Sequence, residues 1–143
     1  MAADHTTALE KAIITHLKGD AVIAGLAGAR VYPPEAPANP VWPFLRYGQP
    51  ITTADETMGS DGAEIRVTIH TFAEGKDAAA RLAKLVAHRL DGAALVLPID
   101  EDTGAVGGLS ELVWVSTDII RDTDEASKWH GAVQFNAAVM EPK

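Results

Sequence analysis

Glu64-Ile65-Arg66-Val67-Thr68-Ile69-His70-Thr71-Phe72 sets Ile65, Val67, Ile69 and Thr71 in strict alternation with Glu64, Arg66, Thr68 and His70. A period of two is that of a strand with one buried face. Behind it Gly75 opens a stretch of another period, from Lys76 to Leu90, with Ala79, Leu82, Ala83, Val86 and Leu90 in one stripe. Lys76, Arg81, Lys84, His88 and Arg89 point away from that stripe, and a stop is expected near Gly92. This is an amphipathic helix. A one-faced strand leading into a one-striped helix calls for a sheet layer packed against a helix layer.

Reading upstream, Phe44 to Thr53 predicts another strand, with Leu45, Tyr47 and Ile51 on one face, and Met58 to Gly62 suits the hairpin loop between the two. The segment from Pro33 to Pro43 holds prolines 33, 34, 37, 40 and 43, so it is extended and non-helical. Before it, Arg30-Val31-Tyr32 reads as a short extended piece. A first helix should run from a Thr6 or Thr7 cap to about Lys18, burying Leu9, Ala12, Ile13 and Leu17. Asp20 can cap a second short helix that ends at Gly25 or Gly28.

Downstream, Leu95 to Ile99 is a candidate short strand and Asp100 to Gly108 a polar loop. Two last strands are expected, at about Leu112 to Arg121 and Gly131 to Met140. In the first, Val113, Val115, Thr117 and Ile119 should share a face, with Leu112, Trp114 and Ile120 on the other; in the second, Val133, Phe135, Ala137 and Val139 should share one. Links of hairpin length predict an α+β fold, an antiparallel sheet with helices packed on one face, formed by residues 1–143 as a single domain.

The bulk properties narrow the function. The 143 residues are 47% apolar and 22% charged, with no cysteine, so the fold needs neither disulfides nor thiolate metal sites and suits a reducing cytoplasm. No leader or membrane span is expected: the run Ala21 to Ala29 is far short of the ~20 residues needed to cross a bilayer. A formal charge of −8 argues against gripping nucleic acid, which takes a lysine and arginine surplus. It leaves open a protein that DNA passes through.

No catalytic or cofactor site emerges. His5, His16, His70, His88 and His130 are scattered without metal-ligand spacing, and Ser60, Ser110, Ser116 and Ser127 lack a nucleophile-elbow context. Asp100-Glu101-Asp102-Thr103-Gly104, with Glu111 at position twelve, has a faint calcium-loop pattern, but its glycine stands at position five rather than six. A solvated turn is the simpler reading. The aromatic residues Trp42, Phe44, Trp114 and Trp129 point instead to a partner. Two helices can hardly cover both apolar sides of the Trp114 strand. Either a neighbouring subunit covers Trp114, or the Pro33 to Pro43 segment of the same chain does. The acidic clusters at strand ends, Asp55-Glu56 and Asp122-Asp124-Glu125, read as a solvated rim that could line a channel.

Several stretches in this order resemble the tail-completion (tail terminator) family of siphophages, prophages and gene transfer agents. Asp20 to Tyr32 looks like that family's D-x-x-L-x-x-L-G-x-R-V-Y opening, followed by prolines and the aromatic-proline strand entry Trp42-Pro43-Phe44-Leu45. The strand Ile65 to Phe72, the alanine-rich helix, and the closing Trp129-His130-Gly131-Ala132-Val133-Gln134-Phe135 continue the likeness over nearly the whole chain. Phe72 stands where a tryptophan is common, and the Asp100 to Gly108 loop is longer than usual.

The resemblance implies a mechanical role in the virion neck, after assembly in a bacterial host cytoplasm. Subunits of this kind close into a homo-hexameric ring on the last ring of tail tube protein, stop polymerisation, and present a surface to the head-tail connector or stopper protein. DNA passes through the lumen, where Asp55 and Glu56 would repel it. The alternatives are another neck component, or a small cytosolic ligand-binding domain or enzyme with the proline-rich segment as one wall of a pocket.

Overall fold

The structure, a computed structural model, describes residues 5–35, 37–55, 62–99, 102–104, 107–121 and 128–140. The elements run α1 (Thr6–Lys18), α2 (Ala21–Ala27), β1 (Val31–Tyr32), β2 (Phe44–Tyr47), β3 (Ile51–Asp55), β4 (Gly62–Glu74), α3 (Lys76–Leu90), β5 (Gly108–Arg121) and β6 (Lys128–Met140). The strands form one sheet in the order β1-β2-β4-β6-β5, with β3 also on β4. Every pairing is antiparallel except β1 with β2, which is parallel. The proline-rich return between β1 and β2 is long enough to bring the chain back to run in the same direction.

The helices cover one face, as the alternation predicts. Leu9, Ile13 and Leu17 of α1, Ile23 of α2 and Leu82, Ala83, Val86 and Leu90 of α3 join Leu45, Tyr47, Ile65, Val67, Ile69, Val133, Phe135, Ala137 and Val139 in one core, and Ala79, the first residue of the predicted α3 stripe, is buried as well. Small residues set how closely α3 approaches. A Cβ on Gly131 of β6 would lie 2.4 Å from Thr71 Oγ1 and 3.1 Å from Ala83 Cβ. Glycine there and alanine on the helix let the two layers meet.

Asp20 caps α2, its Oδ1 accepting from the Val22 and Ile23 amides at 3.0 Å, and its Oδ2 pairs with Arg89 Nε at 2.8 Å. The start of α2 is thus tied to the end of α3, which closes above Gly92, a residue at φ 73°. The expected threonine cap of α1 is not formed. His5 occupies the N-cap without a side-chain cap bond, and the Thr6 hydroxyl bonds Thr52 of β3 instead.

Three strand expectations are corrected. Phe44 to Thr53 is two strands. Tyr47 lies opposite Ile69 and Ile51 opposite Arg66, so four steps on one chain match three on the other and one residue is extra. Gly48 makes the break, donating its N–H to Thr68 O at 2.7 Å where a Cβ would meet His70, and Pro50 has no N–H to give. A one-residue slip reverses the faces. Ile51 therefore does not join Leu45 and Tyr47 but is 64% exposed on the far side.

In β5 the register shifts between Trp114 and Ser116, leaving Val115 extra. Leu112 and Trp114 then share the helix-covered side with Thr117 and Ile119, opposite Ala137, Phe135, Val133 and Gly131 in turn, while Val113 and Ile120 take the open side. The expected face of Val113, Val115, Thr117 and Ile119 is split at the bulge. Leu95 to Ile99 forms no strand; Leu97 is buried while Val96 and Ile99 stand exposed.

Candidate functional site

The open face of the sheet, away from the helices, carries a row of rings. Phe44 of β2, Phe72 of β4, His130 of β6 and Ile120 of β5 are successive register partners across four strands. Cross-strand neighbours on one face sit close enough to stack. Phe44 and Phe72 do so at 4.5 Å, and Phe72 and His130 at 4.5 Å with nearly parallel planes. Trp42 closes edge-on over Phe44 and Phe72, and Lys128 Nζ lies 4.8 Å over the Trp42 ring. The row ends in Ile120, half exposed at the sheet edge.

Beside this row His70 Nδ1 and His130 Nε2 share a hydrogen bond of 2.6 Å. Burial, the neighbouring His130 and then Arg46 push the His70 imidazole down to about 4. A neutral His70 is therefore built into this face at ordinary pH.

Of the four aromatics proposed for a partner, Phe44 is 5% exposed and belongs to the ring stack. Trp42 is half-buried above that stack. Trp129 lies at the other layer, opposite Ala73, with Lys76 Nζ 6.0 Å from its ring. Trp114 offers the most surface, at 45%. The four do not form one patch. Two are on the open face and two on the helix side. Asp55 is the last residue of β3, opposite Gly62; Glu56 lies outside the described residues, as do Asp100 and Glu101 of the calcium-like stretch.

Trp114 does not lie under the proline-rich segment of its own chain. It forms a wall of an open groove of about 460 Å³ between α3 and β5, with Ala80, Lys84, Ala87, His88 and Ile119. Its amide donates to Asp91 Oδ1 at 2.9 Å and its indole N–H to Thr117 Oγ1 at 2.9 Å. Gly92 N donates to Leu112 O at 2.8 Å, so Asp91 and Gly92 occupy the outer edge of β5 at Leu112 and Trp114. From Val115 to Arg121 the strand runs on as a sheet edge. Such an edge invites another chain unless it is protected. Val113, Trp114, Val115 and Ile120, all on this one strand, are among the exposed large apolar residues.

A second groove, of about 540 Å³, lies between Lys11, Ala12, Thr15 and His16 of α1 and the segment holding Leu95 and Val96. Among the described residues no group of three histidine, aspartate or glutamate side chains is placed to hold a metal ion, and no helix is long and apolar enough to cross a membrane.

The family model described as tail completion protein gp17 matches residues 11–140. A chain solved within the virion of a native gene transfer agent particle is similar in structure, with a TM-score of 0.81 and 25% sequence identity. The match covers 97% of this chain and 99% of that one. No curated protein matches the sequence.

Proposed function

Because the chain belongs to the tail completion protein gp17 family, we propose that it is the tail terminator: six copies cap the finished tail tube as a ring, stop tube polymerisation, and join the tail to the head connector. Its role is structural, in the tail of a phage-like virion, and DNA crosses its lumen without specific binding. The observation that carries this reading is the family match over 11–140 taken with the likeness to a chain of a gene transfer agent virion over almost the whole of both chains.

The surface of β5 supports it. A strand with apolar residues exposed on both sides, at the edge of a sheet, suits a contact with a neighbouring subunit. A ring needs a heterologous contact that closes by rotation, since one that does not close makes a filament. The charge of −8 per copy suits a lumen that must let a duplex slide through, since an acidic wall repels phosphate. Asp55 and Glu56 are the proposed lumen residues.

Electron microscopy of particles made without this chain tests the role. Overlong tails are expected, because nothing would end tube growth. Tails of normal length detached from heads would assign the chain to the connector or stopper instead. Normal, headed, infectious particles would refute both. Reversing Asp55 and Glu56 to lysine is expected to slow DNA release while leaving tail length unchanged.

A further inference from the structure

One row of the sheet links two flanks of opposite charge. Tyr47 of β2, Ile69 of β4, Val133 of β6 and Thr117 of β5 are successive register partners on the helix-covered face. At the β2 end of this row lie two carboxylates, Glu10 of α1 and Glu35 just after β1. Burial, and then the charge of Glu35, raises the Glu10 carboxyl; burial, and then the charge of Glu10, raises the Tyr47 phenol. At the β5 end, Thr117 lines the groove with Lys84 and His88, both exposed, and Arg81 is exposed on the preceding turn of α3. Glu10 and Glu35 outweigh Lys11 on one side of the helix layer, and Arg81 and Lys84 outweigh Asp91, which lines the same groove, on the other. A neighbour generated by rotation about a ring axis, without a shift along it, brings the two sides together.

The groove also fits what lies beside the acids. Tyr32 of β1 is opposite Arg46, so Pro33 follows at the Tyr47 row, and Pro33-Pro34-Glu35 leaves the sheet there. Prolines hold a segment extended at little entropic cost, and apolar grooves with an aromatic wall are what such segments dock into. Trp114, Ala80, Ala87 and Ile119 supply that lining. Within one chain the segment is across the sheet from Trp114. A rotation that sets the β2 side of one copy against the β5 side of the next would bring it beside Trp114.

We propose, resting on the ring reading above, that Pro33-Pro34-Glu35 of one copy fills the groove between α3 and β5 of the next, with Glu35 and Glu10 facing Lys84 and His88. The contact is heterologous. Each subunit uses its groove on one side and its proline segment on the other, as a closed ring requires.

The chain has no cysteine, so a disulfide can report this contact without background. The double variant Glu35→Cys/Lys84→Cys, expressed in full-length form and purified within particles, is expected to give an oxidised ladder reaching six subunits. Each single variant should stay monomeric. A dimer from either single variant would mean a face-to-face contact and overturn the proposal. Particles that contain the double variant but yield no ladder would overturn the contact and leave the ring standing, whereas normal tails in particles without the chain would remove the ring itself. A charge exchange covers the case in which the cysteine variants are not incorporated. Lys84→Glu and Glu35→Lys should each lower the yield of headed, tailed particles at least tenfold, and the two combined should recover most of it. Failure of the combination to recover any yield would overturn the proposal.

Discussion

Strands β4 and β5 are nearly equal in length, 13 and 14 residues, yet they treat their side chains differently. From Ala63 to Ala73, β4 keeps one alternation, and each odd position from Ile65 to Ala73 is buried under the helices. A slip there would turn the whole apolar set outward, so burial enforces the register. Among the described residues β5 has a partner strand on one side only. It is interrupted by two register shifts and leaves Val113, Trp114, Val115 and Ile120 in solvent. The interior strand satisfies its own chain. The edge strand carries apolar surface that the described residues leave uncovered.

The contrast predicts that substitutions under the helices reduce stability, whereas those on β5 reduce assembly. The largest effect is expected from Phe135→Ala in β6, next to β4. Deleting a fully buried ring should cost about 3–5 kcal/mol, read as a drop in the denaturant midpoint. A loss under ~1 kcal/mol would break the distinction. Gly131→Ala comes next. Its new methyl would strike Thr71 Oγ1 and Ala83, and overpacking of this kind costs roughly 1–3 kcal/mol, measurable as a lowered melting temperature.

A smaller effect concerns the open face. The His70 imidazole titrates at about 4 in the folded chain, against 6.5 ordinarily. Between those values the unfolded chain binds the extra proton, so stability is fully present above pH 6.5 and falls as pH drops toward 4. The half-exposed site is screened by solvent, which holds the change to on the order of 1 kcal/mol. Thermal melts across that window should flatten in His70→Gln; an unchanged pH dependence would show that the His70–His130 pair does not carry it.

Trp114→Ser should change monomer stability least, by under about 1 kcal/mol as for other surface positions, yet lower particle assembly strongly. Equal losses of stability in Trp114→Ser and Phe135→Ala would erase the difference between the two strands.

Periodicity made the layers legible. The α3 stripe, the buried faces of β4 and β6, the Asp20 cap and the placement of all helices on one face follow from spacing and capping chemistry visible in the chain. What was not legible depends on single residues of register. The extra residue at Gly48 to Pro50 and the one at Val115 each reversed the faces beyond them, and alternation cannot signal a bulge before the partner strand is known. The stack of Phe44, Phe72 and His130, and the His70–His130 pair, required β4 to neighbour β6, although α3 and β5 separate them in sequence. Trp114 was legible as an aromatic in need of cover, but the Lys84 and His88 side of its groove was not. Those residues read as an ordinary solvated helix face until α3 was placed beside β5.

The most direct measurement is a reconstruction of the neck of intact particles at a resolution that traces this chain. Six copies are expected around the DNA path, each with its α3–β5 groove filled by Pro33-Pro34-Glu35 of the next. A ring in which that groove faces solvent, or a neck in which this chain forms no ring, would contradict it.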